Sequence, residues 1–396
     1  RLSPYVRAGE IGPWATHADG TYDLVVTAFA DAGPIAAAAA AERAGAQVVG
    51  IHAPGKVIVR ASRAAIGLLS QEDDIQWVDQ VPPPPREYND GARALAQVDA
   101  VHTYCPTGEG VTAAMWDSGL VGTHDDLDGR VISGDGATSA SGHATHVAGT
   151  MAGNGARIGT YTGVAPGVAP ILSYDWTDPL AEHVDAAVRG AVLSQNSWGY
   201  GISPATFCYW GGYIWTAAEY DDIVRGRYGG ETLERPVTVL FAAGNAQRDA
   251  GRCSRSGYNT VTPPATAKNV ITVGAIHTDD ATMTTFSSWG PTDDGRLKPE
   301  VVAGGCQTSG DGGVTSTLPY NLYGAYCGTS MATPAASGVV ALLVDACRAA
   351  DRTDPLPATL KALLVHTARD LGNPGPDYQF GYGALDAQSA VAQVLS

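Results

Sequence analysis

The chain has 396 residues, 44% of them apolar and 16% charged, and a formal net charge of −16. That is enough apolar residue to bury a large core and fill two domains, while the acidic balance excludes the basic stripe a nucleic-acid-binding surface needs. Apolar runs such as residues 339–344 fall far short of the ~20 residues of a membrane span. Arg1-Leu2-Ser3 opens no apolar signal core, so a leader is expected to have been removed.

In chain order, residues 24–30 are strand-like, 34–44 form an alanine-rich helix, and 47–51 and 56–61 are two further strands. A short helix at 63–69 and a strand at 75–78 follow. The order β-α-β-β-α-β predicts a small ferredoxin-like α+β unit. Pro82, Pro83, Pro84 and Pro85 then hold an extended path that joins neither a helix nor a sheet interior. This linker divides the chain into domains 1–88 and 89–396.

Beyond Asn89, buried strands at 111–116, 171–174, 192–196, 237–242 and 270–273 alternate with helices at 146–152, 180–189, 213–227, 335–349 and 356–366. This alternation predicts an α/β domain with a parallel sheet flanked by helices on both faces. Functional residues of such sheets lie outside the carboxyl ends of the strands.

Four segments place chemistry at such positions. Asp117 ends a strand before Ser118-Gly119. Gly142-His143-Ala144-Thr145-His146 opens a helix with histidine. Ala242-Ala243-Gly244-Asn245 puts an amide after another strand. Gly328-Thr329-Ser330-Met331-Ala332-Thr333-Pro334 runs a serine into an apolar helix beginning near Ala335. Free backbone N–H groups and the helix dipole there would stabilise an oxyanion beside an attacking serine. Pro334 fits a first turn, where no N–H partner is lost. Alone, each segment has a plain explanation as a turn or a cap. Together, a carboxylate, an imidazole, an amide and a hydroxyl point to nucleophilic catalysis.

Six cysteines, Cys105, Cys208, Cys253, Cys306, Cys327 and Cys347, show no C-x-x-C spacing, which weighs against zinc or a redox pair. Their even number suggests three disulfides and a secreted protein, with buried free thiols as the alternative. Six cysteines allow many pairings. The expected set is Cys208–Cys253 and Cys306–Cys327, leaving Cys105–Cys347 by elimination.

With those four motifs, and with Ser197-Trp198-Gly199, Phe286-Ser287-Ser288-Trp289-Gly290-Pro291 and Arg296-Leu297-Lys298-Pro299-Glu300, residues 89–396 resemble the subtilisin-like serine proteases, in particular the bacterial oxidatively stable alkaline protease branch. Residues 1–88 resemble the family's inhibitory propeptide in pattern and position. The resemblance implies Ser330 as nucleophile, His143 as base, Asp117 as its orienting carboxylate, and Asn245 with the Ser330 N–H as oxyanion hole. His146 would be structural. Ala144 stands where the family usually has glycine, and Ser118 where it usually has threonine.

The resemblance further implies that peptide substrates add as a strand beside Ser197, Trp198 and Gly199 and beside Ala242, Ala243 and Gly244. Aromatic or large apolar residues would be preferred before the scissile bond. Self-processing between Tyr88 and Asn89 would fit that preference, with the tail from Pro82 lying in the cleft. No cofactor is implied for catalysis. Calcium is a candidate structural ligand, with Asp126 at a position that supplies a ligand in relatives, although the loop His124-Asp125-Asp126-Leu127-Asp128 cannot alone supply the oxygens calcium takes. The expected partners are protein substrates and the chain's own propeptide, acting on a monomer without membrane or nucleic acid. Two other functions fit parts of the pattern: a catalytically silent peptide binder, disfavoured by the intact four residues, and a sedolisin-type acid peptidase with a glutamate base, disfavoured by His143.

Overall fold

The computed structural model describes the chain apart from residues 13–14, 53–55, 82–89, 104–105, 201–208, 254–255, 310–311 and 351. It divides into two units, Arg1–Arg86 and Glu87–Ser396.

In the first unit, a short helix α1 (Pro4–Ala8) precedes β1 (Thr21–Ala28), α2 (Gly33–Arg43), β2 (Gln47–His52), β3 (Lys56–Ser62), α3 (Arg63–Leu69) and β4 (Ile75–Gln80). The sheet has the order β2-β3-β1-β4 with antiparallel neighbours, the arrangement the β-α-β-β-α-β pattern predicts. Alternate residues of β1 and β3, among them Leu24, Val26, Val57 and Val59, are buried in one cluster with Ala37, Ala40 and Ala41 of α2. The period of two in each strand creates that apolar face.

The second unit begins with two short helices, α4 (Asp90–Leu95) and α5 (Val98–His102). Its sheet is built from β5 (Ala113–Trp116), β6 (Val131–Ser133), β7 (Ile171–Tyr174), β8 (Leu193–Asn196), β9 (Thr238–Ala242), β10 (Ile271–His277) and β11 (Val301–Cys306). These pair in the order β11-β10-β9-β8-β5-β7-β6, every pairing parallel. The order reverses at β5 and β8, so the crevice for a ligand falls at their carboxyl ends. Asp117 follows β5 directly and Ser197 follows β8 directly.

Among the described residues six more helices follow: α6 (Gly142–Ala152), α7 (Pro179–Val188), α8 (Trp215–Val224), α9 (Thr329–Ala349), α10 (Pro357–Thr367) and α11 (Ala387–Leu395). Two strands, β12 (Val314–Leu318) and β13 (Leu322–Tyr326), form a hairpin between β11 and α9. Tyr320 and Asn321 at its tip have φ of +64° and +61°, the left-handed pair a tight hairpin needs.

Helix α9 differs from expectation in two ways. It is long and apolar enough to cross a membrane, yet 89% of its most apolar window is buried inside the protein, where it packs with β10, β11 and α6. It also starts at Thr329, so Pro334 lies inside the helix and not in its opening turn.

Of the expected disulfides, Cys306–Cys327 is present. It ties the end of β11 to the residue before Gly328, and Gly328 N also donates to Gly305 O at 2.9 Å. Cys347 is a buried free thiol, so the expected Cys105–Cys347 pair is incorrect: Cys347 faces the apolar interior of α9. Cys253 is disulfide-bonded. Cys105 and Cys208 lie outside the described residues, as do Tyr88, Asn89 and the four linker prolines.

Candidate active site

Asp117 is 1% exposed and accepts from Ser118 N at 2.7 Å and Ser118 Oγ at 3.1 Å. Its two carboxylate oxygens lie 2.9 and 2.7 Å from Nδ1 of His143. A carboxylate only accepts, so Nδ1 carries the proton and Nε2 of the neutral ring is left as an acceptor. His143 is the second residue of α6, whose N-cap Ser141 accepts from Ala144 N at 3.1 Å. Ser118 Oγ and Ser141 Oγ are 3.0 Å apart, which ties the Asp117 turn to the cap of the histidine helix. Ala144 is fully buried in the core, so its methyl is accommodated there.

Ser330 is the second residue of α9. Its Oγ donates to Ser197 O at 3.2 Å, and Ser197 Oγ donates to Ser330 O at 2.8 Å. The hydroxyl is turned to Ser197 and, among the described residues, makes no hydrogen bond to His143. Such bonds are often unformed in the absence of substrate. Asn245 follows β9, and its Oδ1 accepts from Thr329 N and Thr329 Oγ1, both at 3.0 Å. That fixes the amide with Nδ2 toward the start of α9. A Cβ built on Gly328 would lie 3.4 Å from both Asn245 Nδ2 and Ser330 N, so the two donors converge on one spot.

Beside Ser330 and Asn245 is a cleft of about 330 Å³ walled by Trp198, Trp210, Ala242 and Thr262. Ser197, Gly199 and Gly244 also border it. Glycine is required at 199 and 244, because a Cβ at either would come within 2.5 or 2.6 Å of Thr262 Oγ1. Ala243 is fully buried and off the cleft; its N–H donates to Val273 O and its carbonyl accepts from Thr262 N. Trp210, Ala246, Asp249 and Thr262 border the cleft without having been anticipated. They come from loops with no motif to mark them.

Two other histidines are structural. His146 is fully buried, its Nε2 within 2.9 Å of Val314 O and 3.1 Å of Gly324 O, and its ring stacked on Tyr326. Burial pushes it down to about 4. His183 Nε2 lies 2.8 Å from Ser194 Oγ. Both are fully buried, and the ring stacks on Trp116, so this serine–histidine pair has no access to a substrate. Burial likewise lowers His183 to about 4.

The Asp126 loop does not fit calcium. Asp126 is fully buried; its Oδ1 accepts from Arg157 N at 2.9 Å and its Oδ2 from Tyr323 OH at 2.7 Å. Its backbone carbonyl accepts from Asn154 N and from the Arg130 guanidinium. A fixed cation therefore sits where the carbonyl would face a metal, and six to eight free oxygens are not available. Elsewhere Asp135, Asp175 and Glu182 bring carboxylate oxygens within 4.8 Å of one another. All three carboxylates already accept hydrogen bonds: Asp135 from Ala137 N and Asp175 N, Asp175 from Thr177 N, and Glu182 from Trp116 Nε1.

Residues 108–383 match the subtilase family, Peptidase_S8. The chain is 29% identical over 312 residues to the serine protease AprX of Bacillus subtilis, covering 72% of this chain and 67% of that protein. It is 30% identical over 313 residues to subtilisin E of the same organism, covering 74% and 68%. To subtilisin DY of Bacillus licheniformis it is 30% identical over 308 residues, covering 75% and 96%.

Proposed function

Because the chain belongs to the subtilase family and is a serine endopeptidase that needs no catalytic cofactor, we propose that Ser330 is its nucleophile, His143 its general base and Asp117 the carboxylate that orients the base. The observation that carries this assignment is the bond of both Asp117 oxygens to His143 Nδ1, which leaves Nε2 ready to accept. Ser330 Oγ rotates from Ser197 O, attacks the scissile carbonyl carbon and gives its proton to Nε2. The resulting oxyanion takes hydrogen bonds from Asn245 Nδ2 and Ser330 N–H. Collapse breaks the C–N bond, and the imidazolium returns the proton to the leaving amine. Water, deprotonated by the same ring, then releases the acyl group.

The wide cleft with its two tryptophans supports a preference for aromatic or large apolar residues before the scissile bond. The backbone of Ser197, Trp198 and Gly199 would pair with the substrate strand. Of the second segment, Ala242 and Gly244 border the cleft, whereas Ala243 acts from behind it.

The first unit acts as an inhibitory and chaperoning propeptide, released by self-cleavage between Tyr88 and Asn89. Its own sheet and core support an independently folding segment. Secretion is supported by the Cys306–Cys327 disulfide, since such bonds persist in oxidising compartments. The active form acts as a monomer on protein substrates. Purified Ser330→Ala should remain one uncut chain, whereas the parent yields two fragments whose new amino terminus is Asn89. Release of the first unit from Ser330→Ala in protease-free conditions would overturn self-processing.

A further inference from the structure

The Cys306–Cys327 disulfide lies against the turn that carries Ser330, and the peptidase chemistry makes no use of its sulfurs. Cys306 is the last residue of β11, and Cys327 stands three residues before Ser330. The end of β11 therefore grips this turn twice. Gly305 O accepts from Gly328 N at 2.9 Å, and Cys306 holds Cys327 covalently. The grip passes straight into the oxyanion donors, because Thr329 N donates to Asn245 Oδ1 at 3.0 Å and Ser330 N is the next donor along the chain.

The two sulfurs differ in access. Cys306 is 7% exposed, whereas Cys327 is an exposed residue. Exchange proceeds by attack of a thiolate on the sulfur it can reach, which here is that of Cys327. Cys347, a free thiol, is buried and takes no part. The segment closed by the bond is also held elsewhere. Asp279 accepts from the N–H and hydroxyl groups of Thr308 and Ser309. Asn321 Oδ1 accepts from Asp125 N at 2.7 Å, and Thr317 Oγ1 donates to Thr145 O at 2.8 Å. Opening the bond thus leaves the β12–β13 hairpin in place and loosens chiefly the turn at Cys327 and Gly328.

We propose that Cys327 is a thiol-exchange site through which a low-molecular-weight thiol lowers the peptidase activity. The proposal rests on Ser330 being the nucleophile. A thiolate attacks Cys327 Sγ, the Sγ–Sγ bond breaks, and Cys306 leaves as a thiolate that takes up a proton. A second thiolate attacks the outer sulfur of the mixed disulfide, and Cys327 leaves and is protonated in turn. Two thiols are oxidised to one disulfide while the protein disulfide is reduced to two cysteines. Gly328 then keeps only its hydrogen bond to β11, and Ser330 loses its fixed alignment with Asn245. Displacement of reacting groups by about 1 Å costs on the order of 10²-fold in rate. A small disulfide reverses the change, so the enzyme is held back in a reducing compartment and active in an oxidising one.

The test treats the purified protein with dithiothreitol, maps reduced cysteines by alkylation and peptide mass spectrometry, and follows both peptide hydrolysis and fluorophosphonate labelling of Ser330. Turnover is expressed per labelled Ser330, which separates misalignment from unfolding. Cys306 and Cys327 should become alkylated in the folded protein, with kcat and the labelling rate falling at least tenfold and KM changing less than twofold. Glutathione disulfide should restore both rates. The double variant Cys306→Ala, Cys327→Ala should start at the reduced rate and lose nothing more to dithiothreitol, which assigns the loss to this bond and not to that of Cys253. If the double variant does not fold, the treated parent decides. Cysteines that resist reduction, unchanged turnover once both are alkylated, or a double variant with the parent's turnover would overturn the proposal. An untreated protein that takes no label on Ser330 would instead remove the nucleophile assignment, and this proposal with it.

Discussion

Ser197 and Ser330 exchange two hydrogen bonds: Ser197 Oγ donates to Ser330 O at 2.8 Å, and Ser330 Oγ donates to Ser197 O at 3.2 Å. The first exists because Pro334, four residues into the helix from Ser330, has no N–H to give the Ser330 carbonyl. Ser197, directly after β8, supplies the missing donor, locking the backbone of Ser330, the proposed nucleophile, to the central sheet. Ser197→Ala should therefore leave that carbonyl unmatched and destabilise the protein by about 1–3 kcal/mol. Denaturant melts of the variant in a Ser330→Ala background would measure this without autolysis, and an unchanged midpoint would show that the bond contributes nothing.

The Asp117–His143 contact sets the tautomer of His143, the proposed base. Asp117→Asn can present an amide N–H to Nδ1, which reverses the ring and puts the proton on Nε2. Turnover should fall by about 10⁴-fold with little change in KM. A loss below tenfold would mean that another group orients the imidazole.

Acid sensitivity of the fold follows from His146 and His183. Burial lowers each from 6.5 in the unfolded chain to about 4 in the folded one. Between those values the unfolded state binds more protons, so stability is full above about pH 6.5 and is lost as pH falls toward 4. Each ring contributes a loss on the order of 3 kcal/mol over that window. His146→Gln keeps a donor for Val314 O and should flatten the slope by one proton. The test is the pH dependence of unfolding free energy, and an equal slope in the variant would contradict the assignment.

The closed environment of Asp126 predicts that this loop gains nothing from calcium. Tyr323→Phe removes the hydroxyl at Oδ2 and should cost about 1–3 kcal/mol. Thermal melts of the parent with and without calcium should differ by no amount that Asp126→Asn removes. A calcium-dependent rise in Tm lost in Asp126→Asn would show that the loop opens to the ion.

The parts of the molecule that sequence pattern revealed are those with strong local signals. β7 at Ile171–Tyr174 and α3 at Arg63–Leu69 have the expected bounds, because each is a short apolar run between turn residues. β11, Val301–Cys306, was not anticipated, because Gly304 and Gly305 weaken its strand character. The structure supplies their reason: a Cβ on Gly305 would lie 2.6 Å from Gly328 O. Tertiary closeness, invisible locally, decided the residue. The start of α9 was placed late, since Pro334 reads as an opening residue until Ser197 is seen to replace its lost bond. Asp117, His143, Asn245 and Ser330 stand out as candidates because each lies after a strand or at a helix start. Trp210 and Thr262 could not, because long-range folding alone brings their loops to the cleft. The cysteine pairing failed at Cys347 for a related reason: elimination by count takes no account of a thiol buried in a core helix.

The assignment of Ser330 as nucleophile is tested most directly by treating the purified protein with a fluorophosphonate and locating the adduct by peptide mass spectrometry. A single adduct on Ser330, absent from Ser330→Ala and accompanied by complete loss of peptidase activity, is the predicted result. An adduct on another serine, or peptide hydrolysis that persists in purified Ser330→Ala, would contradict it.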